Sequence, residues 1–217
     1  MSCPTILFNP SDNKTDVCDC MSPVEQISEN QNPYDYSYTG MPKRYWGADF
    51  SQYPTPYTQR LQDFALGKSD KIFMVLEGMN GTGKSYNACS CIGMRIKNGF
   101  AAGSYLSCKY TLGPMIRSSK LTTGERNELD TYRFYYNSPF TVLDEVGKCD
   151  DERLEKVFDS NMISACYDNN NRILITTNFT MNELCKWLGE DINSRFYQCA
   201  EVLTINEQDY RKTGANK

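Results

Sequence analysis

A layered α/β fold, with one parallel sheet of five strands between helices, is predicted by two features of the 217-residue sequence. Five short apolar runs alternate with segments of helical period, and a glycine-rich loop follows the first run at once, where a strand hands the chain to a helix. Hydrophobic residues make up 40% and charged residues 23%, ordinary globular usage for a chain of one core with a short appendage.

Residues 1–40 are rich in Asn, Asp, Ser, Gln and Pro, carry no sustained period, and read as an acidic, loosely ordered N-terminal arm. They hold six acidic residues and one basic, whereas residues 41–217 hold 21 acidic and 22 basic, so the body is near neutral. A neutral body argues against gripping duplex DNA by bulk charge and leaves a local patch or an assembled ring as the basic surface. The body, residues 41–217, opens with the aromatic-rich segment Met41–Phe50, and Thr58–Leu66 is expected to form a short helix with Leu61, Phe64 and Ala65 inward. Ile72–Leu76 is unbroken and apolar, as a parallel strand covered on both faces must be. A helix follows from Lys84-Ser85 to about Lys97, closed by Asn98-Gly99, where a C-cap glycine belongs.

Gly103–Cys108 reads as the second strand and Thr111–Tyr136 as a basic, mainly helical stretch interrupted near Thr122-Thr123-Gly124. Phe140–Leu143 is the third strand, ending in Asp144-Glu145, with a helix after it from about Asp151 to Tyr167. Arg172–Asn178 is the fourth strand, Met181–Leu188 a short helix, and Val202–Ile205 the fifth strand. About a dozen residues follow, enough for a minimal C-terminal lid or none, and too few for an appended helix-turn-helix domain.

No apolar run reaches the roughly 18 residues of a membrane span, and the N-terminus lacks a basic start with an apolar stretch, which predicts a cytoplasmic protein without membrane contact. Ten cysteines are scattered through core-like segments, the pattern of reduced, buried thiols rather than a disulfide scaffold. Cys18-Asp19-Cys20 with Cys3 raises the question of zinc, but a structural site wants about four ligands and the chain has no histidine, so a polar arm with incidental cysteines is the preferred reading.

The run Gly78-Met79-Asn80-Gly81-Thr82-Gly83-Lys84-Ser85 matches Gly-x₄-Gly-Lys-Ser, with an apolar strand before it and a helix after it. Glycines let backbone N–H groups turn toward phosphate oxygens, the helix N-terminus adds positive partial charge, Lys84 reaches the β- and γ-phosphates, and the Ser85 hydroxyl takes a place on Mg²⁺. The expected ligands are therefore ATP and Mg²⁺, with Tyr86 counted among the nucleotide-site residues. Fifty-nine residues beyond Ser85, the third strand delivers Asp144 and Glu145 to the sheet edge that carries ligands in parallel sheets. Asp144 is expected to hold Mg²⁺ through water and Glu145 to orient or deprotonate the attacking water. Asn178 ends the fourth strand, where its amide either meets the γ-phosphate and the water or caps the following helix. There is no histidine for acid–base work, no Gly-x-Ser-x-Gly and no arginine-rich lid insertion. Hydrolysis of ATP to ADP and phosphate is then expected to drive assembly or conformational change. Arg195, in Asn193-Ser194-Arg195-Phe196, is either a surface ion-pair partner or an arginine that completes a neighbouring subunit's site.

Taken together, these segments resemble the helicase-loader branch of the AAA+ ATPases, the DnaC-like and insertion-element helper proteins, many of them phage-encoded. Met41-Pro42-Lys43-Arg44-Tyr45 with Ala48-Asp49-Phe50 is similar to that family's entry segment, Gly78–Ser85 to its Walker A loop, Val142–Gly147 to its Walker B strand and Ile175–Asn178 to its sensor 1. Leu188-Gly189-Glu190 with Ser194-Arg195-Phe196 resembles its arginine-finger box, and Asp209-Tyr210-Arg211 its sensor 2 region. The resemblance covers about residues 41–212 and implies an ATP-dependent loader of a replicative DNA helicase, with a transposition helper or another phage DNA-associated ATPase as the alternative. It implies Arg195 as a finger acting in trans through self-association, Arg211 as a nucleotide contact in cis, and single-stranded DNA along the basic stretch 109–133. That stretch carries Lys109, Arg117, Lys120, Arg126 and Arg133, with Tyr132, Phe134, Tyr135 and Tyr136 nearby either to stack on bases or to turn to the core behind a solvated helix face. Two features depart from the family pattern: Asp191 stands where an arginine is usual, and an acidic arm of about 40 residues stands in place of a larger helicase-binding module.

Overall fold

The computed structural model describes residues 36–112, 135 and 137–206. Five parallel strands form one sheet in the order β2-β3-β4-β1-β5: β1 (Phe73–Glu77), β2 (Ser104–Ser107), β3 (Phe140–Val146), β4 (Arg172–Thr177) and β5 (Ala200–Thr204). The described helices are α1 (Thr58–Ala65), α2 (Lys84–Lys97), α3 (Glu152–Asp168), α4 (Met181–Leu188) and α5 (Glu190–Cys199). This is the three-layer α/β arrangement that the apolar runs predict. The parts of the basic stretch at 113–134 and 136, the arm through residue 35, and the tail at 207–217, with any C-terminal lid, lie outside the described residues.

Alternation along β1 divides the core. Phe73 and Val75 join Leu143, Ile173, Ile175, Phe158, Met162 and Phe196 in one cluster, covered by α3, α4 and α5. Met74 and Leu76, pointing the other way as successive strand residues must, are equally buried on the opposite face. Arg95 of α2 is 6% exposed, and its guanidinium donates to the Ala65 carbonyl at the end of α1 (2.6 Å) while lying over the Phe140 ring. A buried cation is tolerated there because backbone carbonyls and an aromatic face replace its water.

The body is already packed at Tyr36, which is 1% exposed and stacks on Trp46 with ring centroids 6.2 Å apart. The turn Ser37–Thr39 lies beside β2, an edge strand whose residues are nonetheless all buried. The cysteines at 89, 91, 108, 149 and 166 are buried free thiols, with 185 and 199 half-buried, as expected of a reduced chain. Burial pushes the Cys166 thiol up to about 12, which keeps it protonated and inert. Cys3, Cys18 and Cys20 are outside the described residues.

Three differences from the sequence reading exceed a one-residue shift of a boundary. β5 begins at Ala200 rather than Val202, because its ladder with β1 starts at the pair Phe73 and Ala200. β3 does not stop at Leu143 but continues to Val146 through a register shift against β4 between Leu143 and Val146. Arg195 lies within α5, a helix absent from the sequence reading, rather than in a connection after α4. Register then fixes one functional edge: Glu77 of β1 pairs with Thr177 of β4, which pairs with Val146 of β3. The chain leaves all three central strands at the same level, bringing Gly78, Asn178 and Glu145 to one rim.

Candidate active site

The loop after β1 is shaped by close backbone approach. A Cβ at Gly78 would sit 2.3 Å from the Ile205 carbonyl oxygen, so only glycine lets the chain turn past the end of β5. Thr82 Oγ1 donates to the Met79 carbonyl (3.0 Å), and Lys84 Nζ donates to the carbonyls of Gly78 and Met79, both at 2.7 Å. These bonds fold the lysine back across its own loop. α2 then opens at Lys84 with Gly83 as N-cap and no side-chain cap bond, leaving the first-turn N–H groups open to an anion. Ser85 and Tyr86 face the same cleft, whereas Met79, 77% exposed, sits at the outer tip of the loop.

The acid pair comes from the end of β3. Asp144 is 3% exposed and both its oxygens accept hydroxyls: Oδ2 from Tyr105 at 2.5 Å and Oδ1 from Thr176 at 2.6 Å. Each oxygen keeps a further lone pair for a water on a metal ion. Burial pushes the Tyr105 phenol up, and the adjacent Asp144 charge pushes it further, so Tyr105 stays protonated and donates. Glu145 has φ 62, a left-handed backbone rare outside glycine, and its N–H donates to Thr176 Oγ1 at 2.9 Å. This kink at the register shift turns Glu145 out of the sheet and into the cleft.

The next turn is held from behind. Gly147 has φ 87, and a Cβ there would lie 2.3 Å from the Phe179 ring. The fully buried Glu155 of α3 accepts the backbone N–H groups of Gly147 (2.8 Å), Lys148 (3.3 Å) and Cys149 (2.9 Å). Burial raises its carboxyl pKa, and the three N–H donors oppose the rise.

Asn178 is not the cap of the following helix. Its Oδ1 accepts from Lys84 Nζ (3.1 Å) and its Nδ2 donates to Asn80 Oδ1 (3.0 Å), so the amide joins the loop after β1. The cap of α4 is Thr180 instead, in a reciprocal capping box with Glu183, a motif of about 1 kcal/mol. The cleft thus collects Asn80, Lys84, Ser85, Glu145 and Asn178 on its wall, with Asp144 buried directly behind.

Several residues of this cleft have no site role in the sequence reading, among them Tyr45, Tyr53 and Lys148. Tyr45 and Tyr53 pack edge-on against Tyr86, with centroids 6.5 and 4.9 Å away, and form an aromatic wall. Tyr86 is pinned from the same segment, donating to Gln52 Oε1 (2.7 Å) and accepting from the Asp49 N–H; burial raises its pKa. Only the high aromatic content around Tyr45 signalled this wall. Lys148 also lines the cleft, its Nζ 2.6 Å from Asn80 Oδ1 and 3.7 Å from Glu145 Oε1.

Arg195 is not part of this cleft. It donates to Ser164 Oγ on α3, and its guanidinium lies 5.1 Å from the Tyr167 ring centroid. Arg211 is outside the described residues, as are Arg117, Lys120, Arg126 and Arg133. Of the basic stretch, Lys109 is exposed over the Tyr110 ring, on a π-helical turn at Cys108–Leu112, and Tyr135 is buried in the core.

No protein-family model and no curated protein sequence matches the chain. Solved structures do. The crystal structure of the DnaC helicase loader superposes on 76% of this chain and 100% of its own, at 25% identity and a TM-score of 0.60. DnaI superposes on 78% of this chain and 93% of its own, at 18% identity and 0.58. Domain III of the Thermotoga maritima replication initiation protein DnaA covers 82% of this chain and 70% of its own, at 14% identity and 0.60. In fold, the chain is similar to the helicase loader DnaC, to DnaI and to the replication initiation protein DnaA, and its strand order, with a glycine-rich loop between the first strand and its helix, is that of the AAA+ P-loop architecture.

Proposed function

We propose that this chain is an ATP-dependent loader of a ring-shaped replicative DNA helicase. The observation that carries the proposal is the meeting of Lys84, Asp144, Glu145 and Asn178 at one sheet edge, in a fold shared with a helicase loader along that protein's whole length. The residues fit ATP with Mg²⁺: an open helix N-terminus, a lysine beside it, a hydroxyl at Ser85, and two carboxylates across the cleft. Lys84 and the first turn of α2 hold the β- and γ-phosphates, while Ser85 and, through water, Asp144 hold Mg²⁺. Bound there, the ion would supply positive charge against the charge that develops on the phosphate oxygens. Glu145 takes a proton from the attacking water as its oxygen bonds to the γ-phosphorus; the bond to the β–γ bridging oxygen breaks, giving ADP and phosphate. Asn178 senses the γ-phosphate, and the wall of Tyr45, Tyr53 and Tyr86 suits the flat, apolar face of a base.

Hydrolysis is coupled to self-association. Arg195 acts in trans on a neighbour's γ-phosphate, leaving its bond to Ser164, and Arg211 contacts nucleotide in cis. The acidic arm 1–40 or the segment 41–50 grips the helicase, and the stretch 109–133 takes single-stranded DNA in the bacterial host cytoplasm of a phage-encoded protein. Arg195→Ala is expected to leave nucleotide binding by the monomer unchanged and to lower ATP turnover under assembling conditions by roughly 10³-fold, read as phosphate release. Turnover at the wild-type rate would remove Arg195 from the mechanism.

The reading as a loader is tested by size-exclusion chromatography with light scattering on the protein mixed with its host's or phage's replicative helicase, with ATP and without. A defined complex that sheds this chain on hydrolysis is expected. No complex in either state would move the assignment to an ATPase that acts on DNA directly, such as a transposition helper.

A further inference from the structure

We infer that Lys148 is a second phosphate-binding cation of the cleft, one that distinguishes a nucleoside triphosphate from a diphosphate by contact with the terminal phosphate. The inference rests on the nucleotide-site reading above and adds to it a residue outside the loop 78–85, the pair Asp144-Glu145 and Asn178 that carry that reading.

The first ground is reach. The ammonium of Lys148 starts beyond β3 and crosses the cleft to the loop after β1, where Nζ meets Asn80 Oδ1 at 2.6 Å. Asn80 Oδ1 also accepts from Asn178 Nδ2, and Asn178 Oδ1 accepts from Lys84 Nζ. Two cations therefore bracket one pair of asparagine amides, Lys84 at the inner end and Lys148 at the outer. Lys84 is 9% exposed and folded into the loop, which suits it to the β- and γ-phosphates from the loop side; Lys148, its side chain 26% exposed, stands on the side of Glu145, where the terminal phosphate meets its attacking water.

The second ground is aim. A flexible lysine on a free loop would say little, but this one is directed by strain and by a buried anchor. The left-handed Glu145 and Gly147 turn the chain twice within three residues, so the side chains of Glu145 and Lys148 enter the same cleft. The tight approach of Gly147 to the Phe179 ring and the bonds from Glu155 to three successive N–H groups fix that turn from behind. Strain of this kind persists only where the surroundings over-determine it.

The third ground is electrostatic. Lys148 faces Glu145 at 3.7 Å, a half-exposed pair of small net value, screened by solvent. A terminal phosphate offers two negative charges and three oxygens to a compact ammonium with three donors, so it outcompetes both the amide oxygen and the single carboxylate. The move also frees the Glu145 carboxylate for water. A diphosphate lacks this anion, and the advantage disappears with it.

The test is titration of a fluorescent, slowly hydrolysed ATP analogue and of the matching ADP analogue, with Mg²⁺, into the wild-type protein, Lys148→Met and Lys148→Arg. Lys148→Met is expected to bind the triphosphate roughly tenfold more weakly, or worse, and the diphosphate within about twofold of wild type, since one charge-assisted contact is lost only where the terminal phosphate is present. Lys148→Arg, which keeps the charge, is expected to recover most of the triphosphate affinity. An unchanged ratio of the two affinities in Lys148→Met, or an equal loss for both nucleotides as a merely structural role would give, overturns the inference and leaves the nucleotide site standing. Failure of the wild-type protein to bind either nucleotide overturns the site itself.

Discussion

Replacing Lys84 with alanine is expected to abolish nucleotide binding in the micromolar range while the protein stays folded. The ammonium is the buried charge of the cleft: 9% exposed, bonded to the carbonyls of Gly78 and Met79 and to Asn178. Truncating one partner of a buried, hydrogen-bonded charge pair costs about 2–5 kcal/mol, which converts to about 30-fold to several thousand-fold in affinity. Because the lysine also ties Asn178 to the loop, the substitution loosens the link between β1 and β4, and the loss falls toward the upper part of that range. The measurement is calorimetric titration with ATP and Mg²⁺, with a thermal melt as the folding control. Retention of wild-type affinity would mean that the loop after β1 is not the nucleotide cradle.

How far this site was legible in the sequence depends on how local its parts are. The strands β1, β3 and β4 announce themselves as apolar runs because a parallel strand covered on both faces has no polar side to display. The loop after β1 is equally local, since one tight turn fixes the glycines, the lysine and the serine within eight residues. α5 escaped notice because in Glu190–Cys199 only Ile192 and Phe196 are buried, one i, i+4 pair in a polar segment, too faint a stripe to count as a helical face. Tyr45 and Tyr53 enter the cleft only because the segment before α1 packs across Tyr86 of α2, a contact between residues more than 30 positions apart. Lys148 was invisible for a different reason. In a regular strand Glu145 and Lys148, three positions apart, point to opposite faces, and only the positive φ at Glu145 and Gly147 brings them together. The ambiguity at Asn178 had the same origin, because a polar residue two before Thr180 fits a cap as well as a site, and only tertiary geometry chooses.

Glu145→Gln is expected to separate binding from turnover. Glutamine is isosteric, keeps the backbone N–H that bonds Thr176, and adopts the same left-handed backbone at similar cost, so the kink at the end of β3 survives. Asp144, held by Tyr105 and Thr176, is untouched, and with it the expected place of Mg²⁺. What is lost is the carboxylate proposed to take the proton from water, a contribution of roughly 10²- to 10⁴-fold for a positioned general base. The variant should therefore bind ATP within a few-fold of wild type and release phosphate at least about a hundredfold more slowly, arresting the protein in its triphosphate state. Single-turnover hydrolysis of radiolabelled ATP alongside equilibrium binding reads both quantities. Parallel loss of binding would place Glu145 among the structural supports of the cleft, and turnover near the wild-type rate would shift the base role to another acid. The half-exposed setting of Glu145 beside Lys148 adds a discriminating detail. If the acid acts as base, chemistry slows whether or not Lys148 is present, so Glu145→Gln combined with Lys148→Met should be no slower in the chemical step than Glu145→Gln alone, while its ATP affinity falls as it does in Lys148→Met.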